Sequence, residues 1–170
     1  MGRRRTFDED EVVRAAVGLF GARAYDGVSV DDLVTHLGVH RNSLYKVFGS
    51  KRGLYLAALR WHLEHEVRPL LATSALGDIL AGDGASGLDL LLLALVERAP
   101  VDAEVAREVA DAMRDFDAAV EHALDADGAP PALAHALTAT LLGLHLRARA
   151  GVGIAGAGAA LFDRLHRSPS

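Results

Sequence analysis

Through the first fifty residues, apolar side chains recur at helical spacing in short blocks separated by glycine-containing breaks. Val12, Ala16, Leu19 and Phe20 share one face of a first helix, the repeat expected of an amphipathic helix packed on a core. Asp8 is placed to cap it, with Glu11 three residues later reaching back. The stretch "YDGVS", 25–29, interrupts the pattern, with Gly27 supplying the turn. Ser29 and Asp32 form a second capping pair, and Val30, Leu33 and Leu37 line a short second helix. Gly38 ends that helix, as a residue free to take positive φ should. Residues 41–47 fit a third short helix, in which Leu44 and Phe48 point inward while Arg41, Asn42, Tyr45 and Lys46 lie on or beside the outer face. Gly49 breaks the chain again, and Ser50 caps a fourth helix over about 51–66, with Lys51 in its first turn.

Beyond residue 66 the pattern stays helical. Residues 69–82 read as one helix opened by Pro69, in a first-turn position that proline tolerates. Residues 82–86, "GDGAS", form a loop, and 87–99, "GLDLLLLALVERA", are apolar all round and therefore buried. Pro100 opens the next helix, along which Val105, Val109, Met113, Phe116, Val120 and Leu124 make an apolar stripe. After "DADGAPP", 125–131, two final helices rich in small residues cover 132–151 and 157–167. The expectation is an all-α chain of about nine helices. No alternating run bounded by hairpin dipeptides suggests a strand.

Two short helices joined by a glycine-containing turn, the second with a polar outer face, make a helix-turn-helix. The segments "AA…LF", "YDGVSVDDL", "GV…SLY…F" and "SK…L" follow one another between Phe7 and Leu56. Their order and spacing resemble the DNA-binding domain of the TetR family of bacterial transcriptional regulators, over about a third of the chain. Ala24 stands where that family usually has glycine before the aromatic, a departure expected to be harmless. His40 replaces the small residue that usually caps the recognition helix, and Val47 replaces the common His or Tyr before Phe48. The resemblance implies a DNA-binding domain over 1–50, joined through helix four to a helical effector-binding and dimerisation domain over 51–170.

Charge is unevenly distributed. The net charge is −5, yet residues 1–60 carry ten Lys/Arg against seven Asp/Glu, and 61–170 carry eight against sixteen. A basic head on an acidic body points to two tasks. The chain has no cysteine, so disulfides and thiolate metal sites are excluded, which fits a reducing cytoplasm. The longest apolar run, Leu90 to Val96, is too short to span a bilayer. "MGRRRT" carries no hydrophobic segment of the secretory kind, and its literal match to a myristoylation pattern is short enough to be fortuitous.

Other motifs have plain explanations. "GVGIAG", 151–156, spells G-x-G-x-x-G but follows a helix instead of a strand, so it reads as a turn between helices. His62 and His65, one helical turn apart, lack an identifiable third ligand, and no metal or cofactor is expected. Carboxylates are spread along helix faces, and no nucleophile sits beside a recognisable base, so an enzyme is not expected.

The third helix is expected to enter the major groove N-terminus first. Arg41 would pair with guanine and Asn42 with adenine, while His40 and Ser43 would meet a base or a phosphate. Tyr45 and Lys46 suit phosphate, and Ser29 and Lys51 sit at helix starts that favour it. Arg3, Arg4 and Arg5 would add nonspecific affinity or probe the minor groove. A dimer is expected, with Ala136, Ala139, Gly143 and Ala148 allowing close approach and Leu141, Leu144, Leu161 and Leu165 supplying apolar contact. The resemblance implies a homodimeric repressor, released from a near-palindromic operator by a small molecule. Trp61, His65, Phe116 and His145 are the candidates for lining its pocket. Two alternatives stand beside it: a DNA-binding dimer without ligand, and a small-molecule binder or enzyme with a vestigial head.

Overall fold

The computed structural model describes residues 8–73, 85–125, 132–152, 156–158 and 160–161. Arg3, Arg4, Arg5, Phe7, Leu165 and the middle of "GVGIAG" lie outside these residues. All regular structure among them is helical: α1 (Glu9–Arg23), α2 (Val30–Leu37), α3 (Arg41–Phe48), α4 (Lys51–His62), α5 (Arg68–Thr73), α6 (Asp89–Leu93), α7 (Ala103–Asp125) and α8 (Ala132–Arg149). The π-type turns Leu63–Val67 run α4 directly into α5, and Ala94–Arg98 prolong α6 in the same way. Counted as continuous stretches, seven helices result among the described residues, with short helical pieces at 157–158 and 160–161. Nine is therefore a slight overcount. Pro69 does not open a helix: it lies within one already running from Lys51. Nor does Pro100, which sits in a turn; Asp102 caps α7 instead, accepting from the amides of Glu104 (3.1 Å) and Val105 (3.4 Å).

The caps of the first four helices are local and follow the sequence. Asp8 Oδ1 accepts from the amide of Asp10 at 3.0 Å. Ser29 and Asp32 close a complete capping box, and Ser50 Oγ accepts from Gly53 N at 3.0 Å. Gly38 takes φ 64°, the left-handed conformation that a Cβ disfavours.

The chain forms two compact units, Met1–Glu66 with Asp89–Val109, and Val67–Leu88 with Ala110–Ser170. In the first, α1 packs on α4 and α6. Ala16, Phe20, Leu54, Ala58, Leu59, Leu91 and Leu92 are fully buried there, each large apolar side chain contributing about 1.5–3 kcal/mol. Val96, expected inside, is exposed. The rings of Phe20 and Tyr25 each meet Tyr55 edge-on at 5.0 Å between centroids. In the second unit, Val120, Leu124, Ala134, Leu137 and Leu141 form a core onto which Leu133 and Leu161 pack, and Phe116 is fully buried.

The turn after α1 departs from expectation. Gly27 does not carry the unusual backbone: Ala24 does, at φ 60° and ψ 175°. That region is essentially reserved for glycine, and a side chain held there costs roughly 1–3 kcal/mol. Ala24 is therefore not a harmless departure. Glycine is freer in the unfolded chain, which returns about 0.4–1 kcal/mol of the gain. Ala24→Gly is expected to raise the urea midpoint by the equivalent of about 1 kcal/mol; an unchanged or lower midpoint would refute the strain.

Candidate nucleic-acid interface

Recognition-helix geometry begins with what α3 hides. Leu44 and Leu33 on α2 are fully buried and Val39 in the preceding turn is buried, so the helix is held by one side. His40 is its N-cap residue, with the extended backbone of a cap (φ −70°, ψ 140°) but no side-chain hydrogen bond to the helix. The His40 imidazole is exposed and is not spent on capping. Arg41, Asn42, Lys46 and Val47 are exposed too, with Ser43, Tyr45 and Phe48 half-buried. No acidic residue lies in α3. The outer face is cationic and amide-bearing along one short helix.

Three of the expected contact residues are engaged with other side chains. The Ser29 hydroxyl donates to Asp32 Oδ2 at 2.6 Å and accepts from Asp32 N at 3.0 Å. The Ser29 hydroxyl, and after it the Ser29 amide, donate to the Asp32 carboxylate and hold it below its ordinary pKa. Lys51 is half-buried with its Nζ 4.0 Å from the centre of the Tyr25 ring, a cation–π position. Burial pulls its ammonium pKa down, against the attraction of Asp26 and Glu97. Arg41 forms an ion pair with Asp31 of α2.

Behind this face lies a set of groups that periodicity did not reveal. Glu97 Oε2 accepts from Tyr25 N at 2.7 Å and Oε1 from Asp26 N at 2.9 Å, so one carboxylate holds the turn between α1 and α2. The Arg98 guanidinium lies 4.3 Å from the Tyr25 ring centre. Asp102 accepts from Arg52 Nε (2.7 Å) and Nη2 (2.8 Å), and Arg60 bridges Glu104 (2.8 Å) and Glu108 (2.6 Å). These pairs tie α4 to the start of α7 within the first unit. Only the Asp102 cap had a local signal, an acid just before a helical run.

Of the pocket candidates, Trp61 and His65 are brought together, stacked at 4.6 Å between ring centroids, with His65 Nδ1 2.9 Å from the Trp61 carbonyl oxygen. Phe116 and His145 are buried in the second unit. His62 is buried with Nδ1 2.6 Å from Glu66 Oε2, and burial lowers its pKa despite that carboxylate. His62 and His65 therefore serve different neighbours, and no group of three or more metal-ligating side chains occurs among the described residues. No helix among those residues is long and apolar enough to cross a membrane.

On α8, Ala136 and Ala148 are exposed, and Gly143 and Leu144 are half-buried. Leu141 is only 4% exposed and belongs to the core of the second unit, with Leu161 packed against that core. The outer apolar residue of that helix is Leu146, 42% exposed.

The sequence pattern described as "Bacterial regulatory proteins, tetR family" matches residues 12–58. The HTH-type transcriptional regulator YezE of Bacillus subtilis is 45% identical over 64 residues, 38% of this chain and 33% of that protein. The HTH-type transcriptional repressor BdcR of Escherichia coli is 37% identical over 86 residues, 51% of this chain and 41% of that protein. The chain thus spans about a third to two fifths of these curated relatives' length. Among solved structures, a TetR-family regulator from Agrobacterium tumefaciens superposes with TM-score 0.74 at 22% identity, covering 95% of this chain and 97% of that one. The regulator CifR, solved as a cysteine mutant complexed with 26bp double-strand operator DNA, gives TM-score 0.67 at 24% identity, covering 99% and 100%. At such identities the superpositions establish the all-helical fold. The matched segment contains the whole of α2 and α3, and both curated relatives are named transcriptional regulators. Residues 12–58 thus carry the sequence pattern of the tetR family of bacterial regulatory proteins, and over that segment the chain is similar to named transcriptional regulators.

Proposed function

We propose that the protein is a cytoplasmic homodimeric repressor that reads a near-palindromic operator through α3 and leaves it when a small molecule binds the helical body. The observation that carries the reading is α3 itself. It is an eight-residue helix with one buried anchor, an uncapped N-terminal imidazole and an acid-free outer face bearing Arg41, Asn42 and Lys46, inside the family-matched segment. Such a helix fits the major groove with its first turn against base edges. Arg41 supplies the fork that guanine accepts, Asn42 the donor–acceptor pair that adenine accepts, and Lys46 a charge for phosphate.

One head covers too few bases for strong selection, so two are required, about one helical turn apart. The outer side of α8, with Ala136, Gly143, Leu146 and Ala148, suits a two-fold contact: small residues permit close approach and Leu146 is apolar surface to bury. A ligand can release DNA only through unequal affinity for two arrangements of the heads. Trp61 and His65 supply an aromatic surface for one.

Selection of duplexes from a random library by the purified protein, followed by sequencing, tests the reading. An enriched inverted repeat is expected. Arg41→Ala should then relax one position in each half-site, a loss of about 1–3 kcal/mol of discrimination there. Enrichment of no sequence by the wild-type protein would overturn the reading.

A further inference from the structure

We infer that Asp31 determines specificity by holding Arg41 in position, so that the Arg41 fork reaches DNA pre-aimed at a base edge. The inference rests on the DNA-binding reading above. The observation is the ion pair between Arg41 Nη2 and Asp31 Oδ1, ten residues apart and on different helices. An acid in the first turn of α2 needs no special reason, since the helix N-terminus favours negative charge. What the dipole does not explain is the guanidinium drawn to it across the turn. Arg41 is the first residue of α3, the end that meets base edges. Asp31 is therefore the acid beside the part of the interface most concerned with sequence.

Two physical consequences follow. An unrestrained arginine at a helix start samples many rotamers and reaches phosphates and bases alike. Anchoring one guanidinium nitrogen removes much of that freedom and leaves the rest of the planar fork for a bidentate acceptor. A guanine edge matches that geometry, and a lone phosphate oxygen does not. The Asp31 carboxylate is also a like charge to the DNA backbone and 83% exposed, so it opposes binding wherever Arg41 finds no compensating base. Both effects lower nonspecific affinity more than specific affinity. The pair contributes little to folding, because both partners are largely in water.

The test compares wild type, Asp31→Asn, Arg41→Ala and the double variant by random-duplex selection and by titration of the enriched duplex and its single-base variants. Arg41→Ala marks the position that Arg41 reads. Asp31→Asn is expected to relax that same position, cutting a wild-type preference of roughly 10-fold or more to within about 3-fold. Affinity for random duplex should rise at the same time. In the Arg41→Ala background, Asp31→Asn should relax nothing further. An Asp31→Asn protein that binds all duplexes more tightly with its preference at that position intact would overturn the inference while leaving the DNA-binding reading in place. Wild type that enriches no sequence would remove the reading and the inference together. Melting curves of the exposed-site variant should overlay the wild type, so that a change in preference is not a change in fold.

Discussion

Asp102→Ala should destabilise the protein by about 3 kcal/mol, combining a lost helix cap of about 1 kcal/mol with broken charge-assisted hydrogen bonds. The Asp102 side chain is 5% exposed and accepts from both ends of the Arg52 fork and from two amides at the start of α7. Removing it uncaps α7 and leaves Arg52 with Glu104 as its remaining acid partner. For a chain of this size the melting temperature should drop by roughly 6–12 °C. Asp102→Asn separates the two parts, since asparagine still caps a helix but cannot pair with a cation. It should lose less than the alanine variant.

The same carboxylate sets an acid limit. Its hydrogen bonds to Arg52, first among the causes, hold the Asp102 pKa well below the ordinary carboxylate range. Glu104 is lowered too, by Arg60 and then Arg52. A group whose folded pKa is depressed adds stability that is complete above its unfolded pKa, about 4, and is lost as pH falls toward the folded value. Burial of neutral His62 should lower the urea midpoints of both proteins as pH falls below about 6.5, and below about pH 5 wild type should decline more steeply than Asp102→Asn. Parallel curves for the two proteins would refute the assignment.

Gly53→Ala should be destabilising by about 2 kcal/mol, the strain of forcing an atom into a filled site less the helix-propensity gain. On propensity alone, alanine in place of glycine inside a helix improves stability by about 1 kcal/mol. The local geometry reverses the sign. A Cβ at Gly53 would lie 1.9 Å from the carbonyl oxygen of Phe48 and 3.1 Å from its carbon. Both are backbone atoms at the last residue of α3, so relief requires the end of the recognition helix to move relative to α4. Operator selection should weaken along with the urea midpoint. A midpoint above wild type would show that the approach of these two helices is looser than described.

The parts legible in the sequence were those governed by neighbours. Asp8, the Ser29–Asp32 box, Gly38 and Ser50 each act within four residues, and each does so in the structure. Leu44 is inside and Arg41 outside for the same reason: one turn of helix separates the two faces. Failures came where a local sign was overruled. Pro69 falls two residues after the π-type stretch Leu63–Val67, an irregularity beside which a helix tolerates proline, so it marked no boundary. On α8 twelve of eighteen residues are Ala, Leu or Gly, and no stripe distinguishes Leu141, which is inside, from Leu146, which is outside. Ala24 needed its dihedral angles to be seen as strained. Glu97 and Asp31 act on residues 72 and 10 positions away, and no periodicity carries that information.

Glu97 also bears on how the protein is made. The amides it holds belong to the α1–α2 turn, 71 and 72 residues earlier, and the leucines of α6 complete the core that Phe20 and Tyr55 begin. On the ribosome, at about 5–20 residues per second, the first four helices emerge seconds before residues 89–109 arrive to close that unit. During that interval, Phe20 and Tyr55 lack part of their cover. Full burial of these rings therefore waits for residues 89–109, and the head matures only when that later part of the chain has been made.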